Sequence, residues 1–432
     1  MPDEPNEEVD WGSLPTFSFN TTNTTDAFER MQARARISLE EIRNAPRRRN
    51  RSSTIGQVLA TLGIELESLA LTRDRVSRIV SNLPYGLGNN FRVSRDGSSE
   101  INAYFIPRGD EYTVVNYHTE SAQKLLEGKY SKNTLGYELI SNPLEIDDLE
   151  MSLYALLPAL EINGDFTSER CATHIHVGGM KNLNFLKNCL KLGLWFDEVF
   201  YSLAHMDGDR FRGYSNNAIY ARPLMNGPYF KYNREFYQTL NYEEALTANN
   251  LYEFFACYGV NSENGEPSKY QPGRYFSINL FSILRIGTVE FRHFNQSFNP
   301  LIVSAIAKLC QVFVEVAIRV KYSNLKSFEM GDVFNLESPS HYIYKLYQLM
   351  KLAEELECDY YLEPKDIQIL EKVIHNYKGI GVENKEVLTH CRDFEVSGDI
   401  IEEGKLKRAK NKPCHDGHTD IHNIQYSSII RE

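Results

Sequence analysis

The order of apolar and polar positions divides the central part of the chain into short extended segments and longer helical ones. Segments rich in Val, Ile, Tyr and Phe mark strands in VLATLGIELESL, NFRVS, AYFIP, YTVVNY, LGYELIS, ATHIHVGG, RYFSINL and GTVEFRHF. Between them, LTRDRVSRIVSNLP carries Val76, Ile79, Val80 and Leu83 as a helical stripe, with Thr72 placed to cap it. LNFLKNCLKLGLWFDEVFYSLAH and NPLIVSAIAKLCQVFVEVAIRVKY are long apolar helices suited to cover a sheet. YIYKLYQLMKLAEELE and PKDIQILEKVIHNYK add two more helices beyond residue 326. Several strand-to-strand spacings are too short for a crossover helix. The expected class is therefore α+β, a mostly antiparallel sheet backed by helices.

Composition refines this picture at the two ends. Residues 1–55 are expected as an extension, acidic and Thr/Asn-rich at first, then basic through Arg47–Arg51. Residues 56–325 form the domain expected to carry the chemistry, and 326–432 a helical C-terminal extension with a charged tail. At 432 residues, 42% hydrophobic and 24% charged, the chain can bury a sizeable core. Lys+Arg 47 against Asp+Glu 58 gives a net charge of −11, which excludes a generally basic nucleic-acid-binding surface. Nucleic-acid contact is confined to a local patch such as Arg47–Arg51. No apolar run is read as approaching the ~20 residues that a membrane span needs, so no membrane is expected as a partner. The seven cysteines are scattered and form no C-x-x-C pair, so a reducing, cytoplasmic setting is expected. Cys414, His415, His418 and His422 cluster near the C-terminus, but their spacing matches no common zinc pattern.

Candidate chemistry sits on the polar parity of the strands. In LGIELES, Glu65 and Glu67 share a face, ~6.8 Å apart, while Leu62, Ile64 and Leu66 take the other. ATHIHVGG presents His174 and His176 in the same way, GTVEFRHF presents Glu290 and Arg292, and GYELIS adds Glu138. One such strand alone is what any half-exposed antiparallel sheet shows. Together they differ from an ordinary solvated face, because their polar positions are almost purely Glu, His and Arg. Carboxylates gathered on one concave face repel one another and require protons or a cation. Carboxylate with imidazole suits Mg²⁺ or Mn²⁺, and guanidinium suits phosphate. No G-x-x-x-x-G-K-S/T motif is present to supply a phosphate-binding loop.

In their order along residues 60–320, LGIELES, NFRVSRDGS, YELISNPLE, CATHIHVGG, FRGYSNNAIYARPL, RYFSINL and GTVEFRHFN resemble the amidoligase family. This is a branch of the carboxylate–amine ligases with a glutamine synthetase-like fold. The resemblance implies metal-binding roles for Glu65, Glu67, Glu138, His174 and Glu290, with His176 toward the nucleotide. It implies phosphate and acyl-phosphate clamps at Arg274 and Arg292. Arg212 and Arg222 are implied as substrate or nucleotide contacts, with Asp96 and Ser98 bordering the substrate. ATP with Mg²⁺ or Mn²⁺, and a peptide or protein substrate in a setting that includes phage, complete the expectation. Two alternatives stay open: a small-molecule ligase of the glutamate–cysteine type, and a non-enzymatic interaction protein using its Arg-rich arm.

Overall fold

The structure is a computed structural model. It describes residues 61–68, 71–95, 101–108, 111–116, 132–163, 171–206, 221–224, 240–258, 272–333, 337–377, 401–402, 405–406 and 425–427. Arg47–Arg51, Asp96, Ser98, Arg212 and the Cys414–His422 cluster lie outside them.

Six strands form the central sheet: β1 (Leu62–Ser68), β2 (Phe91–Ser94), β6 (Tyr137–Ser141), β7 (Ala172–Gly178), β8 (Ile278–Asn279) and β9 (Thr288–Asn295). Their order is β2-β6-β1-β7-β9-β8, and every pairing is antiparallel. A second sheet contains β3 (Ile101–Arg108), β4 (Glu111–Asn116) and β5 (Lys132–Leu135), with Gln425–Ser427 on its edge. The helices are α1 (Arg73–Ser81), α2 (Ile146–Ile162), α3 (Leu183–Leu203), α4 (Tyr242–Thr247), α5 (Leu251–Cys257), α6 (Ser282–Ile286), α7 (Pro300–Arg319), α8 (Tyr322–Leu325), α9 (Pro339–Glu355) and α10 (Pro364–His375). The fold is thus mixed helix and antiparallel sheet.

Alternation decides which face of the central sheet is dry. Leu62, Ile64, Leu66, Tyr137, Leu139, Ile175, Val177, Val289 and Phe291 are all buried on the parity opposite the charged residues. That face is covered by α3 and α7. Thr72 begins α1 as anticipated, its hydroxyl accepting from Arg75 N, with Val76 and Val80 buried. At the start of α3, Asn182 Oδ1 accepts from Phe185 N at 2.8 Å. Asn182→Ala should therefore cost about 1 kcal/mol, read as a lowered denaturant midpoint with an unchanged slope.

Three expectations are corrected. RYFSINL is largely not a strand: Pro272–Tyr275 forms a 3₁₀ turn, and only Ile278–Asn279 pairs with β9. The Pro-Gly entry, with no proline N–H to donate, delays the pairing. LGYELIS breaks at Gly136, whose φ of 95° ends β5 and starts β6. Finally, α7 is long and apolar enough to cross a membrane by length and composition. A core helix surrounded by protein needs apolar residues on all sides, and that is its setting here. Its buried Lys308 binds Glu150 of α2 at 3.0 Å and Asp366 of α10 at 3.1 Å.

That last contact bears on domain organisation. Helices α9 and α10 pack on α3 and α7, and Leu346, Leu349, Leu370 and Ile374 belong to the same apolar cluster as the sheet residues. The division near residue 325 is a division in sequence; in packing, the two sides share one core.

Candidate active site

Strand register gathers the charged residues. Glu65 lies opposite His174, Gly63 opposite His176, Glu67 opposite Glu138, and His176 opposite Glu290. Directly opposed residues on one face have Cβ atoms ~5 Å apart, so side chains from β6, β1, β7 and β9 meet. On the outer side of β9, Asn279 of β8 pairs with Glu290 and donates to its Oε2 at 2.5 Å.

A bulge aims the last member. On β7, Thr173 and Ile175 are separated by His174 alone, while their partners Phe294 and Phe291 on β9 are separated by Arg292 and His293. The extra residue bends β9. Arg292 stays with the charged face, whereas His293 and Phe294 both turn toward α3, against Asp197 and Phe200. The simple alternation read from GTVEFRHF does not contain this step.

The side chains interlock at short range. His174 Nδ1 is hydrogen-bonded to Glu65 Oε2 at 3.1 Å and lies 3.6 Å from Glu290 Oε1. Arg292 Nη1 donates to Glu290 Oε1. Glu67 Oε2 accepts from Ala172 N at 3.0 Å. His176 Nδ1 meets Thr288 Oγ1 at 3.0 Å, and its Nε2 lies 3.4 Å from Glu65 Oε1 without hydrogen-bond geometry. That Nε2 is buried and makes no hydrogen bond.

Burial raises the Glu65 carboxyl, but the hydrogen bond with His174 and the nearby His176 imidazole outweigh it and hold the group well below the usual carboxylate range. Glu290 is likewise pushed up by burial and brought below its ordinary value by Arg292 and the two imidazoles. Burial and the Arg292 charge lower His174. Burial also lowers His176, yet Glu65 and then Glu290 win, and its pKa is raised. Two imidazoles on one carboxylate cluster thus shift in opposite directions: His174 is held neutral and His176 favours a proton.

A model of the family described as "putative amidoligase enzyme" matches residues 60–314. The chain belongs to the amidoligase family. The match includes every strand of the central sheet. No curated protein matches the sequence. Among solved structures, the chain is similar to a bifunctional glutathione synthetase from Pasteurella multocida, with 12% identity and a TM-score of 0.32. The alignment covers 83% of this chain and 52% of that one, so this chain spans about half that protein's length.

The described residues of the expected site fall into two groups. Glu65, His174, His176, Glu290 and Arg292 converge, with Glu67 and Glu138 adjoining them on the same face. Arg222 and Arg274 lie on segments outside the strands that carry that set. Arg222 is buried beside the segment Tyr275–Ser277, its guanidinium 4.6 Å from the centroid of the Phe276 ring, and its charge acts on Tyr258. Arg274 sits partly exposed in the 3₁₀ turn ahead of β8.

The converging residues fit a divalent cation. Ligand atoms of Glu65, His176 and Glu290 all lie within 4.8 Å of one another. The buried, unbonded Nε2 of His176 is the observation that tests the fit. With the proton on Nδ1 facing Thr288, the Nε2 lone pair points into the carboxylates, the usual setting of a metal-binding imidazole. Two carboxylates and one imidazole are a donor set for Mg²⁺ or Mn²⁺.

A cavity of about 420 Å³ adjoins the cluster, with Glu65 and His176 in its wall. Glycines 63, 178, 179 and 287 line much of it, and among the described residues no Lys or Arg does. A Cβ on Gly63 would lie 3.3 Å from His176 Cβ, so glycine there leaves His176 its place.

Residues that the sequence reading missed are Asn279, Thr288, Asp197, His293 and Ser277. Asn279 and Thr288 are polar residues in segments already read as strands, at positions i+2 from Ser277 and i−2 from Glu290. Asp197 is an acid inside an otherwise apolar helix, and nothing in the spacing tied it to the sheet.

Proposed function

We propose that this amidoligase joins a carboxylate to an amine at the expense of ATP, with Mg²⁺ or Mn²⁺, on a peptide or protein substrate. In this reading the sheet has the glutamine synthetase-like arrangement. Glu65, His176 and Glu290 would hold a divalent ion, and Glu67, Glu138 and His174 are assigned to further ions on the family pattern. Those ions would offset the charge of a triphosphate and polarise its phosphoryl oxygens. A substrate carboxylate oxygen attacks the γ-phosphorus, the bond to the bridging oxygen breaks and ADP leaves. The amine nitrogen then attacks the acyl carbon, phosphate departs, and the amine gives up a proton to a base. Arg292 and Arg274 face the charge that develops on the transferred phosphoryl group. Arg212 and Arg222 are assigned to nucleotide or substrate on the family pattern. The glycine-lined cavity beside Glu65 and His176 takes part of the bound reactants, and the Arg47–Arg51 segment offers a docking point for a macromolecule.

The observation that supports this reading best is the set of carboxylates around an unbonded imidazole nitrogen, with a guanidinium beside it. Calorimetric titration of ATP in the presence of Mn²⁺ tests it. Glu65→Gln/Glu67→Gln should weaken the affinity about tenfold or more relative to wild type. A wild type that binds no nucleotide, or a variant that binds equally well, sinks the proposal. Mass-spectrometric detection of ATP-dependent loss of water between an acid and an amine then identifies the substrate pair.

A further inference from the structure

Behind the sheet, on the face away from the carboxylates, a second polar cluster lies in the apolar core. Asp197 of α3 is 1% exposed, and its carboxylate meets groups from three separate segments. Oδ1 accepts from Ser277 Oγ at 2.8 Å and lies 2.7 Å from His293 Nε2, while Oδ2 accepts from Leu224 N at 3.0 Å. His293 is fully buried among the rings of Phe200, Tyr201, Phe291 and Phe294. A polar group so placed is costly unless bonded, and a network of this kind tolerates few alternative geometries.

The contacts converge on one residue. His293 is the covalent neighbour of Arg292 and the residue that the bulge turns inward. Ser277 supplies the carbonyl that accepts from Arg292 N at 2.8 Å. Ser277 N in turn donates to Arg222 O at 2.7 Å, two residues before Leu224. Asp197 therefore bonds both the residue that follows Arg292 and the residue whose carbonyl accepts from Arg292 N, without touching the charged face.

We infer that Asp197, acting through His293 and Ser277, is a positioning residue for Arg292: it fixes the bulge that directs the guanidinium at Glu290 and at bound phosphate. This inference rests on the ligase reading for its functional consequence. A structural filler would serve only the stability of the core. A positioning residue sets the affinity for phosphate through Arg292, and its effect vanishes once Arg292 is gone.

A double-mutant cycle on ATP affinity with Mn²⁺, combined with amide hydrogen exchange of the full chain, separates the two. Asp197→Asn keeps the shape and is expected to weaken ATP about tenfold, while Ser277→Ala weakens it about threefold. In the Arg292→Met background, either change should alter affinity less than twofold. Exchange at Arg292–Phe294 should speed up in both single variants. If Asp197→Asn does not fold, Ser277→Ala carries the same cycle with the loss of one hydroxyl. Effects that multiply with those of Arg292→Met, or faster exchange with wild-type ATP affinity, leave Asp197 a core contact only and overturn the inference. Unchanged exchange in β9 overturns it too. If wild type binds no nucleotide, the ligase reading fails; the exchange measurement then decides whether Asp197 fixes the bulge.

Discussion

Replacing Arg292 with methionine should move metal and nucleotide affinity in opposite directions. The guanidinium is buried and paired with Glu290, itself 6% exposed. Methionine keeps an unbranched apolar stem and removes the guanidinium, so Glu290 keeps its bond from Asn279 but loses the cation that most lowers its pKa. A carboxylate depressed in the folded state contributes stability above its unfolded pKa and loses it as pH falls through the folded value. With the depression relieved, part of that contribution is lost at neutral pH. Removing one partner of a buried pair costs about 3–5 kcal/mol, visible as a lower Tm of the metal-free protein. The same loss of positive charge makes the cluster a better cation site, and Mn²⁺ should bind roughly 3–10-fold more tightly. ATP should bind more weakly, and ATP-dependent product formation should fall about a thousandfold, since a donor to developing phosphoryl charge is gone. Mn²⁺ should also recover part of the lost Tm. Metal and nucleotide affinities that fall together would make Arg292 a structural cation and no more.

How much of this site was legible in the sequence follows from what sets each position. Glu65, Glu67, His174, His176, Glu290 and Arg292 lie at i and i+2 in strands whose other parity is apolar, and side-chain alternation is a local property of the backbone. Their convergence was not local. It depends on β1 and β7 being neighbours with Glu65 opposite His174, a register fixed by packing of the dry face. The bulge at Arg292 and His293 breaks the alternation, and from the sequence alone His293 reads as one more polar strand residue. α2 escaped notice because its run from Leu153 to Leu160 is apolar without a polar stripe, and Pro158 sits inside it. The shared core of α9 and α10 was hidden as well, since an amphipathic helix states that it covers something and not what. The setting of Arg222 was not legible either. Its segment, FRGYSNNAIYARPL, reads as a loop, and nothing in that pattern announces that the guanidinium is buried over Phe276.

The pH dependence of metal binding should be governed by His176. Burial alone would lower its pKa, but Glu65 and Glu290 raise it above the ordinary 6.5, so the metal-free protein holds this proton to higher pH than a free imidazole does. Stability from that imidazolium is fully present below the unfolded pKa and is lost as pH rises through the folded one. For the metal the sign is reversed. A cation can take Nε2 only when the proton leaves, so Mn²⁺ affinity should fall by about tenfold per pH unit below the folded pKa and level off above it. His174 does not produce this slope in the same range, because burial and Arg292 hold it neutral. Glu65 and Glu290, both depressed, stay ionised down to acid pH and leave the neutral range to His176. His176→Asn should therefore flatten the profile and, above the folded pKa, weaken Mn²⁺ by up to about a hundredfold. Calorimetry in two buffers of different ionisation enthalpy measures the proton directly: wild type should release up to one proton per Mn²⁺ near neutral pH, and the variant none. A variant that keeps the wild-type slope would assign the proton to another group and take His176 out of the metal site.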